Sequence, residues 1–165
     1  MDDPSSASIT TGRLVRSTVL DGNAHLAVTT GAALALLGYL LPWFKKRDSY
    51  QWWYSGWDYA TLTGGGGWTL VALVLLLLAL VASFWTRRSK AATVVCLTGS
   101  VAGGFWSAAV VAASFSTMGE RSSLNGLAQL PFGVGMPLLA LGLGLAVTMA
   151  GYQLVRHLIG EHVGY

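Results

Sequence analysis

The chain has 165 residues, of which 53% are hydrophobic and 10% are charged, and its net charge is +3. An average soluble domain has roughly 25% charged residues, so this composition excludes an ordinary soluble globule. The ten basic residues are spread over all the predicted loops, a distribution that favours topology signals and lipid contacts and argues against nucleic-acid binding.

Residues 1–23 are predicted to form an N-terminal arm. Its residues 9–20 combine apolar side chains with two arginines. A short helix on the membrane surface and a solvated arm both fit this pattern. Asp21 or Asn23 is placed to cap the first spanning helix.

Four segments that contain no Asp, Glu, Lys or Arg follow the arm, at residues 26–43, 68–85, 91–115 and 132–155. Each has about 18 residues or more, enough to cross a hydrocarbon core of roughly 30 Å. They predict an all-α membrane protein, a four-transmembrane-helix bundle over residues 24–157, followed by a C-terminal tail at 158–165. The predicted helices are 24–43, 68–86, 91–115 and 131–157, with outer loops at 44–67 and 116–130.

The basic residues predict the orientation of this bundle. Six lie on the side of the N-terminus and four on the other side, which by the positive-inside rule places both termini in the cytoplasm. The six are Arg13, Arg16, Arg87, Arg88, Lys90 and Arg156; the four are Lys45, Lys46, Arg47 and Arg121.

The first outer loop is unusually aromatic. Residues 41–67 hold four of the seven tryptophans. Two runs, "SYQWWY" and "WDYATLT", flank Ser55-Gly56, and both a small β-hairpin and an irregular interfacial belt fit them. We expect the aromatic residues to recognise a partner and the cations to contact lipid phosphates or acidic groups of that partner. The aromatic residues are Trp52, Trp53, Trp57 and Tyr59; the cations are Lys45, Lys46 and Arg47.

The "LPW" and "SGWD" motifs around this loop resemble those of small four-helix membrane proteins from actinobacteria. The resemblance covers roughly residues 34–80 and implies a plasma-membrane location. It rests on Pro42, Trp43, Ser55, Gly56, Trp57 and Asp58. The layout also resembles the claudin-like tetraspan plan, but in topology alone, because claudins carry two loop cysteines and this loop has none.

The second predicted span is bulky and smooth, as expected of a helix that faces lipid, while the third and fourth are rich in small residues. Small residues four apart let helices approach closely in a membrane. We expect these two helices to pack through their small faces; the same faces also suit an interface between molecules. The residues are Gly99, Gly103, Gly104 and Ala108, then Gly142, Gly144 and Thr148.

Residue types that carry chemistry are sparse in the spans. The four segments contain no Lys, Arg or carboxylate, and no catalytic or nucleotide-binding motif is present, so we expect a protein that is not an enzyme and has no cofactor or metal. A haem or quinone between His25 and His157 is geometrically conceivable, but histidines at helix ends are usually ordinary interface groups. The lone Cys96 cannot form an internal disulfide.

Two functions remain. The first is a non-enzymatic accessory subunit that docks on a larger membrane complex through lipid-embedded and outer surfaces. The alternative is a pore or small-solute carrier formed by a homo-oligomer, with the Ser, Thr and Gly faces of the third and fourth helices as its lining.

Overall fold

The apolar segments fold as helices in the computed structural model, which describes residues 5–44, 55–61, 67–117 and 133–163. Within those ranges the structure has five helices and no strand. They are α1 (Ser5–Leu40), α2 (Gly56–Thr61), α3 (Leu70–Ser83), α4 (Lys90–Thr117) and α5 (Gly135–Val163).

Three of these helices are long and apolar enough to cross a membrane. The candidate spans are Asn23–Leu40 in α1, Lys90–Ala112 in α4 and Gly135–Ile159 in α5. The second predicted span, 68–86, is a shorter apolar helix, α3, of 14 residues. It is about 21 Å long at 1.5 Å per residue, less than the roughly 30 Å of a hydrocarbon core. The structure therefore supports a helical membrane protein with three helices of spanning length.

Helix α1 begins earlier than expected. It runs without a break from Ser5 to Leu40, so Asp21 and Asn23 lie inside it, and the prediction that either residue caps it is wrong. The segment contains no proline, and single polar residues lower helix propensity by less than about 1 kcal/mol each. The helix ends just before Pro42, which disfavours helical geometry in the residue ahead of it.

The helices α1, α3, α4 and α5 form a ring. Helix α1 packs against α3 and α5, and α4 packs against the same two helices. His25, near the start of the α1 span, and His157, near the end of α5, both hydrogen-bond Thr86 in the α3–α4 turn. We call this the turn end. At the other end, the loop end, the Gly133 N–H donates to the Trp43 carbonyl at 2.7 Å.

The tightest seam lies between α1 and α5. A methyl group on Gly31 would lie 2.6 Å from the backbone nitrogen of Ala146, and one on Gly142 would lie 2.7 Å from the Gly31 carbonyl oxygen. Both distances are below any normal contact, so the two backbones meet directly. Glycine is required here because only a hydrogen atom fits between them.

The small face of α4 is turned the other way, toward α3. A methyl group on Gly103 would lie 3.0 Å from Leu76 Cδ2, and one on Gly99 would lie 3.1 Å from the Leu75 carbonyl. The small faces of α4 and α5 thus pack mainly against α3 and α1, where we expected them to pack against each other. Helix α1 also has small residues at helical spacing, Gly31, Ala35 and Gly38, and these pack against the small face of α5.

The smooth helix α3 is only partly turned outward. Val74 is 61% exposed and Leu78 is 47% exposed, as expected for a lipid-facing helix. Leu76, however, is 1% exposed and packs in the main core cluster with Trp43 and Leu139. Its position one turn after Ala72 and nearly one turn before Ala79 places it on the stripe that faces α4.

Candidate interaction surfaces

Tyr39 holds the loop end together. Its side chain is fully buried, and its hydroxyl lies 3.0 Å from the Gly56 carbonyl and 2.9 Å from the Thr69 carbonyl, which share its single proton. A methyl group on Gly56 would run into the Tyr39 ring. Trp43 stacks edge-on against that ring, with centroids 5.6 Å apart. One tyrosine thus ties α1 to the start of α2 and to the approach to α3.

Helix α2 replaces half of the predicted hairpin. The second strand was expected in "WDYATLT", but Gly56–Thr61 is helical, so the β-hairpin is wrong there. The cause is local. The Asp58 N–H donates to Ser55 Oγ at 3.2 Å, and the Ser55 N–H and hydroxyl both donate to Asp58 Oδ2 at 2.8 Å. This reciprocal capping box starts a helix, and its S-x-x-D pattern was readable in the sequence.

Trp57 is the one predicted recognition residue whose side chain the structure describes. It lies in α2 and is 46% exposed, although its neighbours Ser55 and Gly56 are buried. Tyr59 lies in the same helix. The remaining predicted recognition residues, Lys45, Lys46, Arg47, Trp52 and Trp53, lie outside the described residues. The structure therefore presents one exposed tryptophan on an anchored helical turn.

The predicted packing residues fall into two groups. One group lies inside the bundle: Gly99 and Gly103 face α3, Gly104 contacts Leu143 of α5, and Gly142 faces α1. The other group, Ala108, Gly144 and Thr148, is exposed.

Helix α5 carries two small rows on different faces. The row of Gly142, Ala146 and Ala150 is buried. The row of Ala140, Gly144 and Thr148 is exposed, and a methyl group on Gly144 would meet nothing within 4 Å. We call the latter the outer row of α5. It leaves a shallow strip on which another helix can approach closely.

The turn end is polar and joins α1, α4 and α5 through one threonine. The Thr86 hydroxyl donates to the Ser83 carbonyl at 2.9 Å, so its oxygen accepts from His25 Nδ1 at 3.1 Å. The Thr86 carbonyl lies 3.1 Å from both His157 Nε2 and the Thr93 hydroxyl. The sequence placed the two histidines at one end of the bundle but did not indicate Thr86, which has no recognisable motif around it.

A second polar group lies one turn deeper. Gln153, four residues before His157, is 9% exposed, and its Oε1 has no hydrogen-bond partner among the described residues. No group of three or more His, Cys, Asp or Glu residues gathers within the part of the chain that the structure describes. Both histidines are half-buried, and their contacts in the structure are made with a protein hydroxyl and a protein carbonyl group.

An open pocket of about 640 Å³ adjoins the turn end. It lies between His25 of α1 and the turn that follows α3. Its described lining residues are His25, Phe84, Trp85, Arg87 and Arg88. The sequence indicates topology signals and lipid contacts for the basic residues in general, but only the fold brings these two arginines beside His25.

Comparison with known proteins gives no relative: no protein-family model, no curated protein and no solved structure matches this chain.

Proposed function

We propose that this chain is a non-enzymatic accessory subunit of the plasma membrane that docks on a larger membrane complex. In this proposal it crosses the bilayer four times, with α3 as the fourth and shortest span, and both termini are cytoplasmic. Trp57 then faces the outside, and the outer row of α5 faces the lipid. The resemblance of the "LPW" and "SGWD" motifs to those of actinobacterial four-helix membrane proteins is the basis for the plasma-membrane location.

The observation that carries this proposal is the outer row of α5. Between lipid-embedded helices no hydrophobic force drives association, so close backbone approach over small residues supplies the contact. The inner row of α5 is used up within the bundle, against α1. The outer row has the same spacing but contacts no other described helix closely, as the open space around Gly144 shows. A helix of another protein fits such a strip.

Trp57 offers a second contact at the loop end. Tryptophan is among the residues that most often dominate binding energy at interfaces. Its 46% exposure on a capped turn means that little conformational freedom is lost when a partner covers it. A partner that engages both surfaces is held in the membrane and at its outer face.

The distribution of hydroxyl groups favours this function over the homo-oligomeric pore. The pore requires the Ser, Thr and Gly faces of α4 and α5 as a lining. Thr98 and Thr148 on these helices are exposed, but the two serines in the middle of α4 are not. Ser100 and Ser107 are each 2% exposed, and the Ser107 hydroxyl donates to its own helix at the Gly103 carbonyl. These two serines are buried inside one bundle and are not available to line a pathway between copies.

Purification of the tagged full chain in a mild detergent tests the proposal. Three proteins are compared: wild type, Gly144→Leu, and Ala108→Leu as the control that makes a similar size change on the exposed face of α4. We expect wild type and Ala108→Leu to co-purify with other membrane subunits in a fixed ratio. Gly144→Leu should purify alone, because the added side chain fills the strip on which the partner helix packs.

The thermal unfolding of each purified protein completes the test. Gly144→Leu should unfold at the wild-type temperature, since its new side chain meets open space. A wild-type protein that purifies only as a symmetric homo-oligomer contradicts the docking function and supports the pore. Loss of the partner in Ala108→Leu alone moves the interface to α4.

A further inference from the structure

The pocket at the turn end gathers positive charge. Arg87 and Arg88 lie in a turn between two helices, and His25 faces them from α1. Both arginines are exposed. Guanidinium groups present several N–H donors in a planar fork that matches the oxygens of phosphate. The pocket is therefore suited to an anion with several oxygen atoms.

No described acidic side chain neutralises this charge. Asp58 is the one carboxylate whose side chain the structure describes, and it lies at the opposite end of the bundle, where it binds Ser55. Two further acidic residues lie at the turn end: Asp21, four residues before His25 in α1, and Glu161, four residues after His157 in α5. The same end carries four cations, Arg87, Arg88, Lys90 and Arg156, so its net charge stays positive with both carboxylates counted.

The aromatic wall of the pocket indicates where the anion comes from. Phe84 is 58% exposed and Trp85 is 53% exposed, and the two rings stand edge to face with centroids 6.5 Å apart. Tryptophan is enriched at the level of lipid headgroups, and Trp85 is the tryptophan of this wall. The candidate span in α1 starts at Asn23, two residues before His25. The pocket thus lies where a bilayer would present its phosphates.

We propose that this pocket is a phosphate-binding site, with Arg87 and Arg88 as the ligands of the phosphate group and His25, Phe84 and Trp85 as its walls. The Nδ1 atom of His25 is engaged with Thr86, which fixes the ring as one side of the pocket. The phosphate belongs either to an anionic phospholipid, whose glycerol and chains run along the aromatic wall, or to a soluble phosphate compound. The site is independent of the outer row of α5 and of Trp57.

Native mass spectrometry of the detergent-solubilised full chain with added phosphatidylglycerol tests the site. We expect one lipid to bind wild type. Arg87→Gln and Arg88→Gln should each weaken its binding about tenfold, the loss expected when one charge-assisted hydrogen bond is removed. The matched control is Arg156→Gln, which removes the same charge at the same end of the bundle but outside the pocket. It should bind within about twofold of wild type.

A second arm identifies the source of the phosphate. Inorganic phosphate is added to lipid-free wild type and to the double variant Arg87→Gln/Arg88→Gln, and the unfolding temperature is measured. Protection of wild type alone assigns the site to soluble phosphate; lipid binding without such protection assigns it to a headgroup. The proposal is overturned if neither probe depends on Arg87 and Arg88, or if Arg156→Gln weakens lipid binding as much as they do. Equal unfolding temperatures without ligand establish that the variants are folded.

Discussion

Tyr39 connects three parts of the chain that are far apart in sequence. Its ring packs against Trp43, and its hydroxyl serves the carbonyl groups of Gly56 and Thr69. A hydroxyl buried in an apolar environment without a hydrogen bond costs free energy. The Tyr39 hydroxyl avoids that cost by donating to carbonyl groups at the starts of α2 and α3, and it thereby ties both segments to α1.

Tyr39→Phe should lower the free energy of unfolding on the order of 1 kcal/mol, because the ring stays but the shared hydrogen bond is lost. The control is Tyr152→Phe, since Tyr152 also lies in a spanning helix but is 44% exposed. Thermal unfolding in detergent, followed by circular dichroism, measures both. Equal unfolding temperatures for the two variants would show that the Tyr39 hydroxyl contributes nothing to the closure.

At the scale of helices, the apolar blocks predicted the positions of the long helices but not all their ends or partners. The length of a segment without charged residues depends only on the local sequence, so the position of a long apolar helix can be predicted from it. The start of α1 and the whole of α2 were missed because short-range signals were misjudged. Asp21 and Asn23 are tolerated inside a helix, while Ser55 and Asp58 form a cap. The partner of each small face was unreadable, because α5 has two such rows and only the packing of α1 decides which one is buried.

Three glycine-to-alanine variants test that assignment. Gly142→Ala should destabilise the bundle by roughly 1–3 kcal/mol, because its methyl group meets the backbone of α1, which cannot move aside. Gly103→Ala should cost less, since its methyl group meets the flexible end of Leu76. Gly144→Ala should leave stability unchanged or raise it, because alanine favours the helix and the space is open. Thermal unfolding gives the order, and a Gly144→Ala protein less stable than Gly142→Ala would reverse the two faces of α5.

For the whole molecule, the length of α3 decides whether the chain crosses the bilayer three or four times. Its 14 residues cover about 21 Å, yet the segments before and after it lie at opposite ends of the ring: Thr69 contacts Tyr39 at the loop end, and Thr86 contacts His25 at the turn end. Trp68 and Trp85 flank it, and both are exposed. A helix shorter than the hydrocarbon core is accommodated when the bilayer thins locally, at a cost of a fraction of a kcal/mol per Å, so a shortfall of about 9 Å costs a few kcal/mol.

Cysteine labelling in intact cells tests this fourth crossing and the orientation together. Trp57→Cys and Arg88→Cys lie on exposed positions at the two ends of the ring, and the native Cys96 is fully buried, so it gives little background. Ser55 is a poorer reporter because it is buried in the cap. A membrane-impermeant maleimide should label Trp57→Cys from outside and reach Arg88→Cys only after the membrane is permeabilised.

The reverse pattern would invert the proposed orientation. Labelling of both from one side would mean that α3 does not cross the bilayer, since the two positions bracket that helix alone.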